Sequence, residues 1–292
     1  MIGSLPLSSI LAFTLLVCAM GAVWLAPIRC GKAAIAPWVV LFMVSLVVAI
    51  AAGIAQPMAL PVLAVAFTSA HAWREAGSPD GRLIFGAVLL ITIVALGIHK
   101  LPGFTNPIVI AGTISQNAPP FTQYANYDKG AAGLFLLAMV CSRSTASEWS
   151  TTLKYALPIA AATVLAVLGS AVSMDYVRID LKFTETAAVF ATVNLFFTVV
   201  AEEALFRGFI QERFLVMAGS GKPAAVAAIL VSAALFGAAH LGGGTTFAAL
   251  ATIAGIGYAT AYQVTGRIEA PILVHGALNT IHFTCFTYPY LI

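Results

Sequence analysis

Charged side chains are scarce in this sequence of 292 residues. They make up 9% of it, with 14 basic and 11 acidic residues, whereas 61% of the residues are hydrophobic. A soluble domain carries roughly 25% charged residues, so the composition excludes a water-soluble globular or disordered chain. The four cysteines, Cys18, Cys30, Cys141 and Cys285, show no paired spacing, which leaves a disulfide framework or a thiolate metal centre without support. The sequence also lacks a Gly-rich phosphate loop and a basic-aromatic array, so we expect no nucleotide or nucleic-acid partner.

Long apolar runs separated by short polar breaks are what the sequence does contain. Runs of about 16 to 25 apolar residues are long enough to cross a bilayer as helices. The first run lacks a basic flank and is longer than a signal-peptide core, so we expect it to be retained as a span. The ten candidate segments are 8–28, 34–55, 58–73, 83–101, 131–142, 155–174, 186–210, 223–240, 245–265 and 270–290.

These segments predict an all-α fold. Because the third and fifth are short enough to be re-entrant or tilted, the prediction is a polytopic integral membrane helical bundle with eight to ten transmembrane segments. We expect a conical polar site in the four C-terminal helices.

The chain divides into two parts of different character. Residues 1–180 carry only the pattern of N-terminal transmembrane helices, with one long outer loop at 101–130. Its interleaved Pro, Gly, Phe and Tyr predict ordered packing on the membrane face, either as a surface loop without a role in chemistry or as a functional lid. Residues 184–292 place several polar side chains inside apolar segments, so we expect the functional core there.

Glu202 and Glu203 are the acidic residues that fall well inside an apolar segment, directly after VFATVNLFFTVV. An ionised side chain at the bilayer centre costs about 2.5 to 3.5 kcal/mol on insertion scales. Glu203 and Arg207 are four residues apart and share a helix face, where an ion pair lowers this cost for both. Glu202 is rotated by about 100° from Glu203 and is free to point elsewhere.

Polar side chains also recur on the following apolar segments. Phe236 and His240 are four residues apart, as are His275 and Asn279, so each pair forms a stripe along its helix. Measured from the predicted turn around Gly219, Glu202 and His240 lie at similar depth, about 26 and 32 Å away at 1.5 Å per residue. We therefore expect one polar cluster in the membrane. His282, one turn beyond Asn279, is interpreted as a structural residue.

Three short motifs connect these residues to a known family. EEALFR fits the pattern EExxxR, FGAAH fits FxxxH and HGALN fits HxxxN. In order and rough spacing they resemble the CPBP family of CaaX-processing and bacteriocin-processing intramembrane endopeptidases, also called the ABI family. The resemblance covers about residues 184–292 and implies a catalytic transmembrane core there.

The resemblance implies a role for each motif residue. The implied catalytic residues are Glu202, His240, His275 and Asn279. We assign a supporting role to Glu203, Arg207 and Phe236. In the family pattern the first glutamate and first histidine activate a water molecule, and the second histidine with the asparagine stabilises the oxyanion. A carboxylate in a low-dielectric pocket is a stronger base than in water, and preset donors lower the barrier by about 2.7 to 4 kcal/mol each, so the chemistry suits these side chains.

Other interpretations of the cluster remain open at this stage. A Glu and Arg pair also serves as a packing clamp, and an asparagine joins helices through hydrogen bonds. One glutamate and two histidines are also a zinc ligand set. Because the sequence has no HExxH and the family is described as metal-free, we expect no cofactor, with zinc as the alternative.

The sequence thus predicts a glutamic intramembrane endopeptidase of the CPBP type. Its partners would be the lipid bilayer and a membrane protein or peptide substrate, and its location the prokaryotic inner (cell) membrane. The alternative is a non-proteolytic membrane immunity or scaffold protein with the same fold. The motifs indicate neither the substrate nor the oligomeric state.

Overall fold

The computed structural model describes residues 2–31 and 33–292, and helices dominate this part of the chain. The described helices are α1 (Leu7–Gly21), α2 (Pro37–Ala51), α3 (Leu60–Glu75), α4 (Pro79–Gly97), α5 (Tyr127–Met139), α6 (Trp149–Ser173), α7 (Glu185–Ala218), α8 (Lys222–Ala239), α9 (Thr245–Thr265) and α10 (Glu269–Cys285). Each corresponds to one of the ten predicted segments. Two short antiparallel hairpins complete the fold, β1 (Ile28–Cys30) with β2 (Ala33–Ile35), and β3 (Ile108–Gly112) with β4 (Phe121–Tyr124).

Six described helices are long and apolar enough to cross a membrane: α1 with its C-terminal turn, α4, α6, α7, α8 and α9. The predicted polytopic helical bundle is therefore confirmed. The other four helices have 13 to 17 residues, so a total of eight to ten spans stays a prediction. Helix α5, the shortest of these, runs through the protein interior, where all of its residues except Lys129 are buried.

Local sequence signals explain where several helices begin and end. The hydroxyl of Ser78 accepts a hydrogen bond from the Gly81 backbone at 3.1 Å and caps the start of α4. Helix α7 is followed by Gly219 and Gly221, with φ of 89° and 103°, a conformation that glycine adopts without strain. Helix α8 then starts at Lys222 with a proline in its first turn. The predicted turn around Gly219 is therefore confirmed.

Helix α7 joins the two apolar cores of the protein. One core is built mainly from α1 to α5 together with α7, and the other mainly from α6, α8, α9 and α10. Helix α5 packs closely on α7, because a Cβ atom at Gly133 would lie 2.9 Å from the Cα of Ala201. The N-terminal helices therefore pack directly on the helix that carries both glutamates. The division of the chain near residue 180 stays a prediction.

The long connection at 101–130 is ordered and packs against the C-terminal half. Strands β3 and β4 form a hairpin within it. The ring of Phe121 makes edge contacts with Phe190, Phe283 and Tyr288, at centroid distances of 6.2, 6.4 and 4.8 Å. The connection is thus packed against the rest of the protein and reaches the cavity described below, while its position on the membrane face stays a prediction.

Candidate active site

Helix α7 changes its winding on both sides of the two adjacent glutamates. π-Helical stretches at Leu195–Val199 and Ala204–Gln211 flank the α-helical turn Val200–Glu203. Such wide turns occur often at functional sites. The Ser232 hydroxyl from α8 donates to the carbonyl oxygen of Phe206 at 3.1 Å and ties the second stretch to its neighbour.

A cavity of about 360 Å³ lies between the C-terminal helices. It is lined by residues of α6 to α10, by Phe121 and by the residues that follow α10. All four predicted catalytic residues line it: Glu202, His240, His275 and Asn279. The fold thus brings together side chains from three helices that are far apart in sequence.

Glu202 has a partner that the sequence did not indicate. The ammonium nitrogen of Lys129, in the first turn of α5, lies 2.7 Å from Glu202 Oε1, and each side chain is only 15% exposed. Burial separates this pair from water, so the mutual attraction is stronger than at the surface. The signal available in the sequence was a lysine two residues before a predicted apolar segment, which was assigned to the loop.

Glu203 points away from Glu202, as the rotation between neighbouring helical residues predicts. Its Oε2 lies 3.2 Å from Nε of Arg207, and its Oε1 accepts from Nη1 at 3.3 Å, with both side chains fully buried. Arg207 also donates to the Gly255 carbonyl at 3.1 Å and lies 4.7 Å from the ring centre of Phe236. The predicted ion pair is therefore present, and the arginine is fixed on several sides.

Glu203 also holds His275, a contact that the sequence did not predict. The Nδ1 of His275 lies 2.7 Å from Glu203 Oε1. A carboxylate only accepts, so Nδ1 carries the hydrogen and Nε2 is left for other partners. The imidazole stacks on the ring of Tyr258 with centroids 4.4 Å apart, and its edge contact with Phe236 is 5.7 Å. These contacts fix the ring in one orientation beside the cavity.

His240 directly follows the last residue of α8 and is fixed by a carbonyl of that helix. Its Nδ1 lies 2.7 Å from the carbonyl oxygen of Phe236, which can only accept, so Nδ1 donates and Nε2 of the neutral ring is an acceptor. The centroid of the imidazole ring also lies 4.5 Å from that of the Phe236 ring and 5.5 Å from that of the Phe247 ring. The predicted stripe of Phe236 and His240 is thus formed, and the imidazole can accept a proton at Nε2.

Asn279 has a second asparagine as its partner. Its amide nitrogen donates to Oδ1 of Asn194, on α7, at 3.0 Å. Asn194 lines the same cavity and was missed, because no motif includes it. His282, which the sequence left as a structural residue, lines the cavity as well, and its Nε2 is buried without a hydrogen-bond partner among the described residues.

A second cavity, of about 330 Å³, reaches the site from its other side. Residues of α4, α5, α7 and α8 line it, among them Val94, Leu235 and Lys129. Glu202 and His240 line both cavities. These two side chains therefore lie at the boundary between the two spaces.

Zinc would need a cluster of ligands around one point. Within residues 2–31 and 33–292, no group of three or more His, Cys, Asp and Glu side chains is arranged to hold a metal ion. The Nδ1 atoms of His240 and His275 donate to a backbone carbonyl and to Glu203, which leaves Nε2 of each ring for another partner. The choice between no cofactor and zinc stays a prediction.

Comparison with known proteins gives one family match. Residues 184–281 match the model described as Type II CAAX prenyl endopeptidase Rce1-like. No curated protein and no solved structure matches the chain significantly. The matched segment contains all three motifs. The match supports the general conclusion that the protein is an integral membrane peptidase of the CAAX type. The resemblance drawn from EEALFR, FGAAH and HGALN is therefore confirmed, and this segment is identified with the CAAX-processing endopeptidase family.

Proposed function

We propose that this protein is an intramembrane endopeptidase that hydrolyses peptide bonds of membrane-associated substrates. A glutamate and a histidine activate the attacking water molecule, and no metal takes part. The family match supports membrane proteolysis in general. The observation that carries the specific mechanism is that Glu202, His240, His275 and Asn279 line one cavity.

The first step is attack of water on the peptide carbonyl. Glu202 and Nε2 of His240 are the proton acceptors beside the cavity, and one of them takes a proton from the water as its oxygen bonds to the carbonyl carbon. The carbonyl oxygen gains the negative charge of the tetrahedral intermediate. Collapse of the intermediate breaks the bond from carbon to nitrogen, and the stored proton passes to the leaving amine.

The negative oxygen requires donors that are already in place. Asn279 contributes an amide N–H, and His275 contributes Nε2–H when the ring is protonated. Glu203 accepts from Nδ1 of His275 and fixes the orientation of the ring. Arg207 and Phe236 hold Glu203 and the imidazole in place, which is the supporting role assigned to them from the sequence.

The apolar lining of the cavity also favours a substrate that comes from the membrane. Apolar side chains such as Val167, Leu168 and Leu278 form much of its wall. An extended peptide segment with apolar side chains would replace lipid contacts by these wall contacts. We place the protein in a prokaryotic cell membrane, with the bilayer and its proteins as partners.

A comparison of protein termini in membranes tests the proposal. Cells carry wild-type protein, Glu202→Gln or the control Glu185→Gln at matched expression, and mass spectrometry identifies the new peptide ends. Glu185 is exposed at the start of the same helix, outside both cavities. We expect a set of ends that disappears with Glu202→Gln and persists with Glu185→Gln.

Identical termini in all three strains, with Glu202→Gln still rescuing a null phenotype, would instead establish the scaffold or immunity function. A chelator added to the purified protein distinguishes the metal-free mechanism from one that depends on zinc. Full activity after chelation agrees with the metal-free mechanism, whereas loss that zinc restores contradicts it.

A further inference from the structure

Lys129 lies outside every motif of the sequence, yet it contacts the proposed base directly. Its Nζ is 2.7 Å from Glu202 Oε1, and it belongs to α5, on the N-terminal side of the matched segment. The residue lines the second cavity together with Glu202 and His240. A residue of the N-terminal part thus reaches into the proposed catalytic centre.

The first turn of α5 is anchored so that Lys129 is held at this place. The buried carboxylate of Asp128 lies 2.8 Å from Nδ1 of His99 and accepts from the Asn106 amide at 3.0 Å. The same carboxylate accepts from the backbone N–H of Lys129 at 2.8 Å, and Asn106 accepts from the N–H of Tyr127 at 2.9 Å. Two of the N–H groups that lack a partner within the helix at its start are therefore satisfied by side chains. The lysine extends from a fixed turn.

The charges of the site pair one to one. Arg207 lies against Glu203, so it is already compensated by that carboxylate. Lys129 is the cation in contact with Glu202, and both side chains are mostly shielded from solvent. A buried carboxylate that lost the cation in contact with it would become costly to keep ionised. Lys129 therefore compensates the negative charge of Glu202, as Arg207 compensates that of Glu203.

We infer that Lys129 is a positioning residue for the proteolytic reaction, which holds one oxygen of the ionised Glu202 carboxylate and leaves the other to take the proton of water. The inference rests on the proposed function. The ammonium fixes that oxygen at 2.7 Å, so the carboxylate keeps one orientation while it takes up the proton and returns it to the leaving amine. The N-terminal helices thereby contribute to catalysis through α5.

Steady-state kinetics of the purified full chain in detergent test this inference. The probe is a quenched fluorescent peptide that spans a cleavage site found by the comparison of termini. The variants are Lys129→Met, which removes the charge, and Lys129→Arg, which keeps it. Lys100→Met is the matched control, because Lys100 is an exposed lysine in the same region.

We expect Lys129→Met to lower kcat about tenfold or more with KM within about twofold, since the interaction acts on the transition state rather than on substrate binding. We expect Lys129→Arg to recover most of kcat and Lys100→Met to match the wild type. If Lys129→Met does not fold, Lys129→Gln replaces it, because glutamine keeps a hydrogen-bond donor without the charge. The same loss of kcat in Lys129→Gln supports the inference.

Wild-type kcat in Lys129→Met or Lys129→Gln, with Glu202→Gln inactive, would overturn this inference and leave the proposed protease intact. Equal loss of kcat in the methionine and arginine variants would show a packing role and would overturn it too. Full activity of Glu202→Gln would overturn the proposed function itself. The failures of the two proposals are therefore distinguishable.

Discussion

Replacing Arg207 by methionine should cause a large loss of stability. The guanidinium is fully buried, contacts both oxygens of Glu203 and donates to the Gly255 carbonyl. Removing one partner of a buried ion pair costs about 3 to 5 kcal/mol, because the other charge stays in a low-dielectric environment without compensation. This corresponds to roughly two to four powers of ten in the unfolding equilibrium.

The measurement is the free energy of unfolding in detergent micelles for the wild type and Arg207→Met. The matched control is Arg178→Met, since Arg178 forms an ion pair with Asp175 at 3.6 Å in which both side chains are mostly exposed. We expect no measurable change in the control, because exposed pairs contribute little. The double variant Arg207→Met with Glu203→Gln should recover part of the loss, since it removes the uncompensated charge. Equal stability of Arg207→Met and the wild type would refute the reasoning.

Two further variants probe the packing around the cavity. Gly133→Val should lower both thermal stability and activity, because its Cβ would lie 2.9 Å from the Cα of Ala201 and push α5, with Lys129, away from α7; an unchanged melting temperature would contradict this. Asn194→Ala should lower kcat about tenfold with little change in the melting temperature, because Asn279 loses the acceptor that orients its amide; an unaltered kcat would show that Asn279 needs no such partner.

Much of the fold was predictable because each helix carries its own apolar signal. Helix α8 was predicted at 223–240 and is found at Lys222–Ala239. Helix α7 was predicted to end at residue 210, because polar residues interrupt the apolar pattern there. The helix in fact continues to Ala218. One of them, Gln211, is buried and donates to the Ala259 carbonyl at 3.0 Å. This hydrogen bond to α9 allows Gln211 to be buried within the helix, and no pattern in the local sequence indicates such a partner.

The contacts between the site residues were less predictable than the residues themselves. The helical spacing of four indicated the pair of Glu203 and Arg207, which is local. The contact of Glu203 with His275 joins positions 72 residues apart, and that of Lys129 with Glu202 joins positions 73 apart. Helix α5 was predicted to start four residues too late, because its polar first turn has the composition of a loop. Tertiary partners offset the cost of burying that turn, and they cannot be derived from spacing along one helix.

The two adjacent glutamates differ in a way that bears on the choice between a catalytic and an architectural cluster. Each has its own cation, which offsets the cost of two carboxylates in an apolar helix. Glu203 is fully buried, and its oxygens face Arg207 and His275. Glu202 instead lines two cavities, and His240 lines the same two. A cluster that only clamped helices together would not need a carboxylate that lines two cavities, whereas the proposed base must reach both water and a peptide.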